Sequence, residues 1–192
     1  MSERDKRHSF VVYVEDKPGV LNRVASLFRR RAFNIESLTV GHTERQGVSR
    51  MTIVSSINEG AAHRVEANIY KLVNVISVED VTFASKVSRS LALIKVEARE
   101  KTETRHRLME IVRVFRARVI DLGTESLIIE ITGAEDKIDA LVEVLRPFGI
   151  LEMVRTGQAV MTRGVKQSDK EEAAAEKLPQ GAVRVVESSH SV

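Results

Sequence analysis

The sequence predicts an α+β protein of two ferredoxin-like βαββαβ domains, with antiparallel sheets and helices on one face. Three observations predict it. Short apolar, β-branched runs bounded by turn residues read as strands. Between them, apolar residues recur at helical spacing. The resulting order, β-α-β-β-α-β, then occurs a second time in the chain.

Phe10-Val11-Val12-Tyr13-Val14 reads as a buried strand, interrupted by Asp16-Lys17-Pro18-Gly19. Val20, Leu21, Val24, Leu27 and Phe28 then fall on one helical face. A second strand is predicted over Asn34–Thr43, a turn at Gln46-Gly47, and a third strand over Val48–Ile57. Helical spacing returns at Val65, Ile69 and Leu72, and Val75–Phe83 closes the first unit, predicted over residues 8–84.

The second unit, predicted over residues 89–164, opens with a strand at Ser90–Ala98. Leu108, Ile111, Val112 and Phe115 occupy i, i+3, i+4 and i+7. Val119–Leu122 and Leu127–Ile131 form a strand pair around Gly123-Thr124-Glu125. Ile138, Leu141, Val142 and Leu145 repeat the helical spacing up to Pro147, which cannot continue a helix. One long strand is expected over Ile150–Met161. From Val165 the chain turns polar, and residues 165–192 read as a disordered tail with at most a transient helix over Glu171–Lys177.

Bulk composition narrows the function classes. Hydrophobic residues make up 43% and charged residues 30% of the 192, the balance of a soluble globular protein. No apolar run reaches the roughly 18 residues of a membrane span, and the charged start, Met1-Ser2-Glu3-Arg4-Asp5-Lys6-Arg7, is unlike a signal peptide. A cytoplasmic location is the default expectation. Cysteine is absent, which excludes disulfides, thiolate metal sites and a cysteine nucleophile. The net charge of +3 is small, and Arg29-Arg30-Arg31 reads as the solvated last turn of a helix.

The stretch from Val14 to Val40 offers the chemistry. A free amino acid presents a carboxylate, an ammonium group and a side chain. Unpaired N–H groups and a positive dipole end at a helix N-terminus suit the carboxylate. Such a terminus is predicted at Pro18-Gly19-Val20-Leu21, where Pro18 loses no useful donor and Gly19 lets a ligand approach the backbone. Asp16 either caps the helix or presents an oxygen to an ammonium group. Asn34 either tolerates a left-handed turn or offers a donor and an acceptor.

Asp16-Lys17-Pro18-Gly19-Val20-Leu21-Asn22-Arg23-Val24 resembles the ligand loop of the ACT domain family, sensors of small molecules in amino-acid metabolism. The run Asn34-Ile35-Glu36-Ser37-Leu38-Thr39-Val40 resembles, more narrowly, the small regulatory subunits of acetolactate synthase. Ser49–Ile53, Lys71–Val75, Phe115–Asp121 and Val154–Gly157 continue that resemblance over residues 8–164. The resemblance implies a subunit with no active site, dimerised through side-by-side ACT sheets, that activates a catalytic subunit and confers feedback inhibition by valine. Its implied valine contacts are Asp16, Gly19, Val20 and Leu21 of one chain, with Asn34 and Ile35 of the other. No cofactor is expected in this chain; thiamine diphosphate, Mg and FAD are expected in the catalytic partner. Where this chain has Asp16, some family members carry a neutral amide.

Other readings fit less well. RNA-recognition modules share the element order but stack bases on aromatic residues, and Val48–Val54 has none. The five histidines show no ligand spacing, and no catalytic triad or phosphate-cradling loop is apparent. An ACT-type sensor of another pathway is the remaining alternative. The second ferredoxin-like half argues against it.

Overall fold

A computed structural model of the chain describes residues 5–98 and 102–164; the expected disordered tail at 165–192 lies outside the described residues. The first unit runs β1 (Lys6–Glu15), α1 (Val20–Arg30), β2 (Ser37–His42), β3 (Val48–Ile57), α2 (Glu59–Tyr70) and β4 (Val75–Asp80). Its antiparallel sheet has the order β2-β3-β1-β4. Alternation along β1 turns Phe10, Val12 and Val14 to one face, where they meet Val20, Val24, Leu27 and Phe28 of α1 and Ala61, Ala62, Val65 and Ile69 of α2. The two expected helices thus form because each has an apolar stripe to bury on this face.

Helix α2 starts at Asn58, whose side-chain oxygen accepts the Ala61 N–H at 2.8 Å. Asn58→Ala should lower stability by about 1 kcal/mol, measurable as a shift in the urea midpoint at unchanged slope.

Strand β2 starts at Ser37, three residues later than Asn34. Helix α1 stops because Ala32 takes a left-handed φ of 55°, with Phe33 N–H on the Phe28 carbonyl and Ala32 N–H on that of Arg29. This closure satisfies the last carbonyls of the helix and uses up the residues before Ser37. Helix α3 (Thr102–Val114) ends the same way: Arg116 has φ 50°, and Ala117 and Arg116 donate to Val112 and Arg113. The internal repeat therefore extends to backbone detail.

The second unit runs β5 (Lys86–Glu97), α3, β6 (Arg118–Leu122), β7 (Ser126–Gly133), α4 (Glu135–Leu145), β8 (Ile150–Arg155) and β9 (Ala159–Thr162). The sheet order is β6-β7-β5-β8. Ala92, Ile94 and Val96 pack with Leu108, Val112, Leu127, Ile129, Ile131, Ile138, Leu141 and Leu145 in a second, separate core. The single strand expected over Ile150–Met161 is two. β8 pairs with Ala92–Val96 of β5 and β9 with Lys86–Arg89. Between them the Thr156 hydroxyl accepts the Leu91 N–H at 3.0 Å, and Gly157 leaves the ladder to seat on β2.

The face of the first sheet away from its helices is therefore partly covered. Val11, Val81 and Val160 form a small buried cluster with Tyr13 and Ala84. Arg50 stacks on the Tyr13 ring at 5.7 Å and donates to the Val160 carbonyl.

Candidate functional site

The loop between β1 and α1 is held at its base. Asn74, in the turn before β4, donates its amide to Glu15 at 2.6 Å and accepts from Arg23 of α1 at 2.6 Å. That amide, together with the Lys17 ammonium 3.0 Å from the carboxylate, holds the Glu15 carboxyl below its ordinary value. The Asn74 anchor falls in the Lys71–Val75 run, whose role sequence reasoning had left unassigned.

On this base Gly19 takes φ 82° and ψ −5°, and helix α1 begins with no side chain capping its N–H groups. Asp16 is therefore not the helix cap. Its carboxylate accepts the Ser49 hydroxyl at 3.2 Å and lies 3.3 Å from His42 Nδ1, which leaves lone pairs free for a further donor. Pro18 sits one position outside the helix and its cap. A Cβ on Gly19 would meet nothing within 4 Å, so the backbone there faces open space. No acidic residue stands in the first turn. Although the Val20 N–H reaches the Lys17 carbonyl at a long 3.4 Å, the absence of a side-chain cap and the dipole leave a positive, anion-accepting end. Val20 points into the core at 4% exposure, whereas Leu21 is 42% exposed beside the open turn.

Asn34 and Ile35 do not join these residues. The Asn34 carbonyl accepts the Ser55 hydroxyl at 2.6 Å, and Ile35 packs half-buried on the first core. Ser49, the partner of Asp16, and Ser55, the partner of Asn34, pair with Val14 and His8 in the same register. Six residues of strand separate the two sets, about 20 Å at 3.4 Å per residue. Between them runs β2, whose outer edge has no neighbour in the sheet among the described residues.

Sequence reasoning missed a polar seam behind β2. Arg7 pairs with Glu36 at 2.8 Å and grips both oxygens of Glu135, at 2.8 and 3.2 Å. Arg7's hydrogen bond holds the Glu135 carboxyl below its ordinary range, against the opposing effect of burial. Glu36 belongs to the Asn34–Val40 run and Gly157 to the Val154–Gly157 run. Only the pairing of strands brings the two runs face to face.

Among the described residues no three His, Asp or Glu side chains converge as metal ligands would. No described helix is long and apolar enough to cross a membrane. Residues 89–164 match the family model described as small subunit of acetolactate synthase, and residues 10–77 the one described as AHAS small subunit-like ACT domain. A probable acetolactate synthase small subunit of Archaeoglobus fulgidus is 48% identical over 161 residues, 84% of this chain and 99% of that protein. The acetolactate synthase small subunit of Mycolicibacterium smegmatis is 48% identical over 164 residues, 85% and 95% of the two chains. The crystal structure of the Thermotoga maritima small subunit superposes with a TM-score of 0.76 at 38% identity, covering 83% of this chain and 99% of that one. With both units matched in order and the fold shared, the chain belongs to the acetolactate synthase small-subunit family and carries its ACT-type regulatory domain.

Proposed function

We propose that this chain is the regulatory subunit of acetolactate synthase in branched-chain amino acid biosynthesis. It activates a cytoplasmic catalytic subunit, and valine bound between two copies of its ACT unit reverses that activation. The observation that carries the reading is the 20 Å-scale separation, by strand rise, of the Asp16–Leu21 turn from Asn34–Ile35. One chain cannot close both sets on one small ligand. Antiparallel pairing of the open β2 edge with a second copy would bring the turn of each chain to Asn34 and Ile35 of the other. A two-fold axis requires such a self-complementary contact.

In that site the first-turn N–H groups at Gly19, Val20 and Leu21 receive the valine carboxylate. Asp16 and Asn34 oxygens accept from its ammonium group. Leu21 and Ile35 wall the isopropyl group, while the Val20 side chain stays in the core and contributes its backbone. One methylene more or less in such a pocket changes affinity only about 10–200-fold, so some response to leucine and isoleucine is expected as well. Thiamine diphosphate, Mg and FAD belong, in this reading, to the catalytic partner, which performs the chemistry. Nucleic acid and membrane have no part.

Acetolactate formation by the catalytic subunit of the same organism tests this directly. Adding this chain should raise the rate, and adding valine should return it toward the unassisted level. An unchanged rate with a folded chain present would sink the proposal.

A further inference from the structure

We infer that β2 relays occupancy of the valine site to the C-terminal unit through the seam it makes with residues 155–158. The inference rests on the site reading proposed above. Asn34 and Ile35 precede β2 by one residue, the bend at Glu36, and the strand leads from there into the seam. Glu36 donates its N–H to Val54 at 2.8 Å and joins Arg7, which clamps Glu135 at the first turn of α4. Gln158 donates its side-chain amide to the same Glu135 carboxylate at 2.6 Å and its backbone N–H to the Ser37 hydroxyl at 3.2 Å. Gln158 also accepts from Ser88 of β5 at 3.0 Å. Gly157 sits so close that a Cβ there would lie 2.5 Å from Thr39 Oγ1, 2.6 Å from Ser37 Oγ and 3.0 Å from the Leu38 carbonyl.

Three physical facts turn this seam into a relay. Within its own chain strand β2 is held by one ladder, to β3, and its other edge is the one that meets the second copy, so a change in that pairing acts on β2 directly. The Gly157 backbone lies against β2 with no room for even a methyl group, and packing of this kind passes a displacement on instead of absorbing it, because packed interiors have little compressibility. The Thr39 hydroxyl is buried at the contact with no hydrogen-bond partner among the described residues. A buried polar group left unpaired is unusual, and a shifted β2 gives it a route to a partner. A ligand drawing Asn34 and Ile35 toward a second copy thereby changes how β2 seats on Gly157 and Gln158, and the C-terminal unit responds. Gly157, Gln158, Arg7 and Glu135 are positioning residues here; none touches the ligand.

The test uses the full chain with two separate substitutions, Gly157→Ala and Glu135→Gln. The first wedges the seam, and the second keeps its shape while removing the charge that Arg7 grips. Valine binding is measured by calorimetry, activation by acetolactate formation without valine, and reversal by valine titration. Hydrogen exchange across residues 156–162 is followed with and without valine. Both variants should bind valine within about threefold of the unsubstituted chain, as expected for changes remote from the site. Valine should slow exchange at 156–162 in the unsubstituted chain alone, and reversal in both variants should fall by at least about half, the scale of a weakened coupling. Normal reversal in both variants, with valine bound, overturns the relay and leaves the site reading intact. No valine binding by the unsubstituted chain overturns the site reading and the relay with it.

Discussion

A one-to-one mixture of Gly19→Asp and Asn34→Ala chains, allowed to exchange subunits, should bind valine although neither variant does so alone. Each homodimer carries its defect in both sites. In the proposed arrangement, where each site takes its turn from one chain and Asn34 from the other, a mixed dimer has one site with both defects and one with neither. Random exchange makes half the dimers mixed, so about a quarter of all sites should be intact, the partition expected of a two-fold assembly. Asp tolerates the left-handed φ of 82° at Gly19 better than most residues, so the substitution acts chiefly through charge. A carboxylate placed about 4 Å from that of valine repels it by about 4 kcal/mol at an effective dielectric constant of 20, roughly a thousandfold in affinity. Activation without valine is the control for folding in both variants. Calorimetric titration of the mixture reads the result; no recovery would mean that each chain builds its site alone or that the residues are misassigned.

Phe28→Ala should be the most damaging substitution to stability. Phe28 is 1% exposed where α1 meets the first sheet. Removing a buried ring of this kind costs about 3–5 kcal/mol, transfer and cavity together. A domain typically has only about 5–15 kcal/mol to lose, and for a chain of this size the melting temperature should fall by about 10 °C or more. Val73→Ala is the contrast: Val73 is 89% exposed, and the expected change is within about 0.5 kcal/mol. A scanning-calorimetry comparison decides, and equal melting temperatures would show that the first core does not hold the unit together as described.

Much of the fold was legible in the sequence because its signals are local. The stripe Val20, Val24, Leu27 and Phe28 and the alternation Phe10, Val12 and Val14 need only the periods of helix and strand. The repeat of the element order needed nothing more. Helix ends were harder: Ala32 and Arg116 adopt positive φ without being glycine, so no breaker residue marked them, and β2 was expected three residues early. The break between β8 and β9 left no composition signal either, because Thr156–Gln158 diverges to fit a partner that is remote in sequence.

The candidate site divides along the same line. That Gly19 opens a helix and Asp16 precedes it could be read from the run itself. The choice for Asp16 between capping the helix and facing a ligand was open, and the geometry removes the first option. How far Asp16 lies from Asn34 depends on the register of β1 against β3, a pairing of residues some 40 positions apart. The sequence by itself determined the elements, their order and the chemistry of the turn, since each follows from residues within a few positions of one another. Only the tertiary structure decided that the two sets of candidate residues stand at opposite ends of the sheet. It also decided that Gly157 seats on β2 with no room for a side chain, because distance and packing arise from strand pairing that no local pattern encodes.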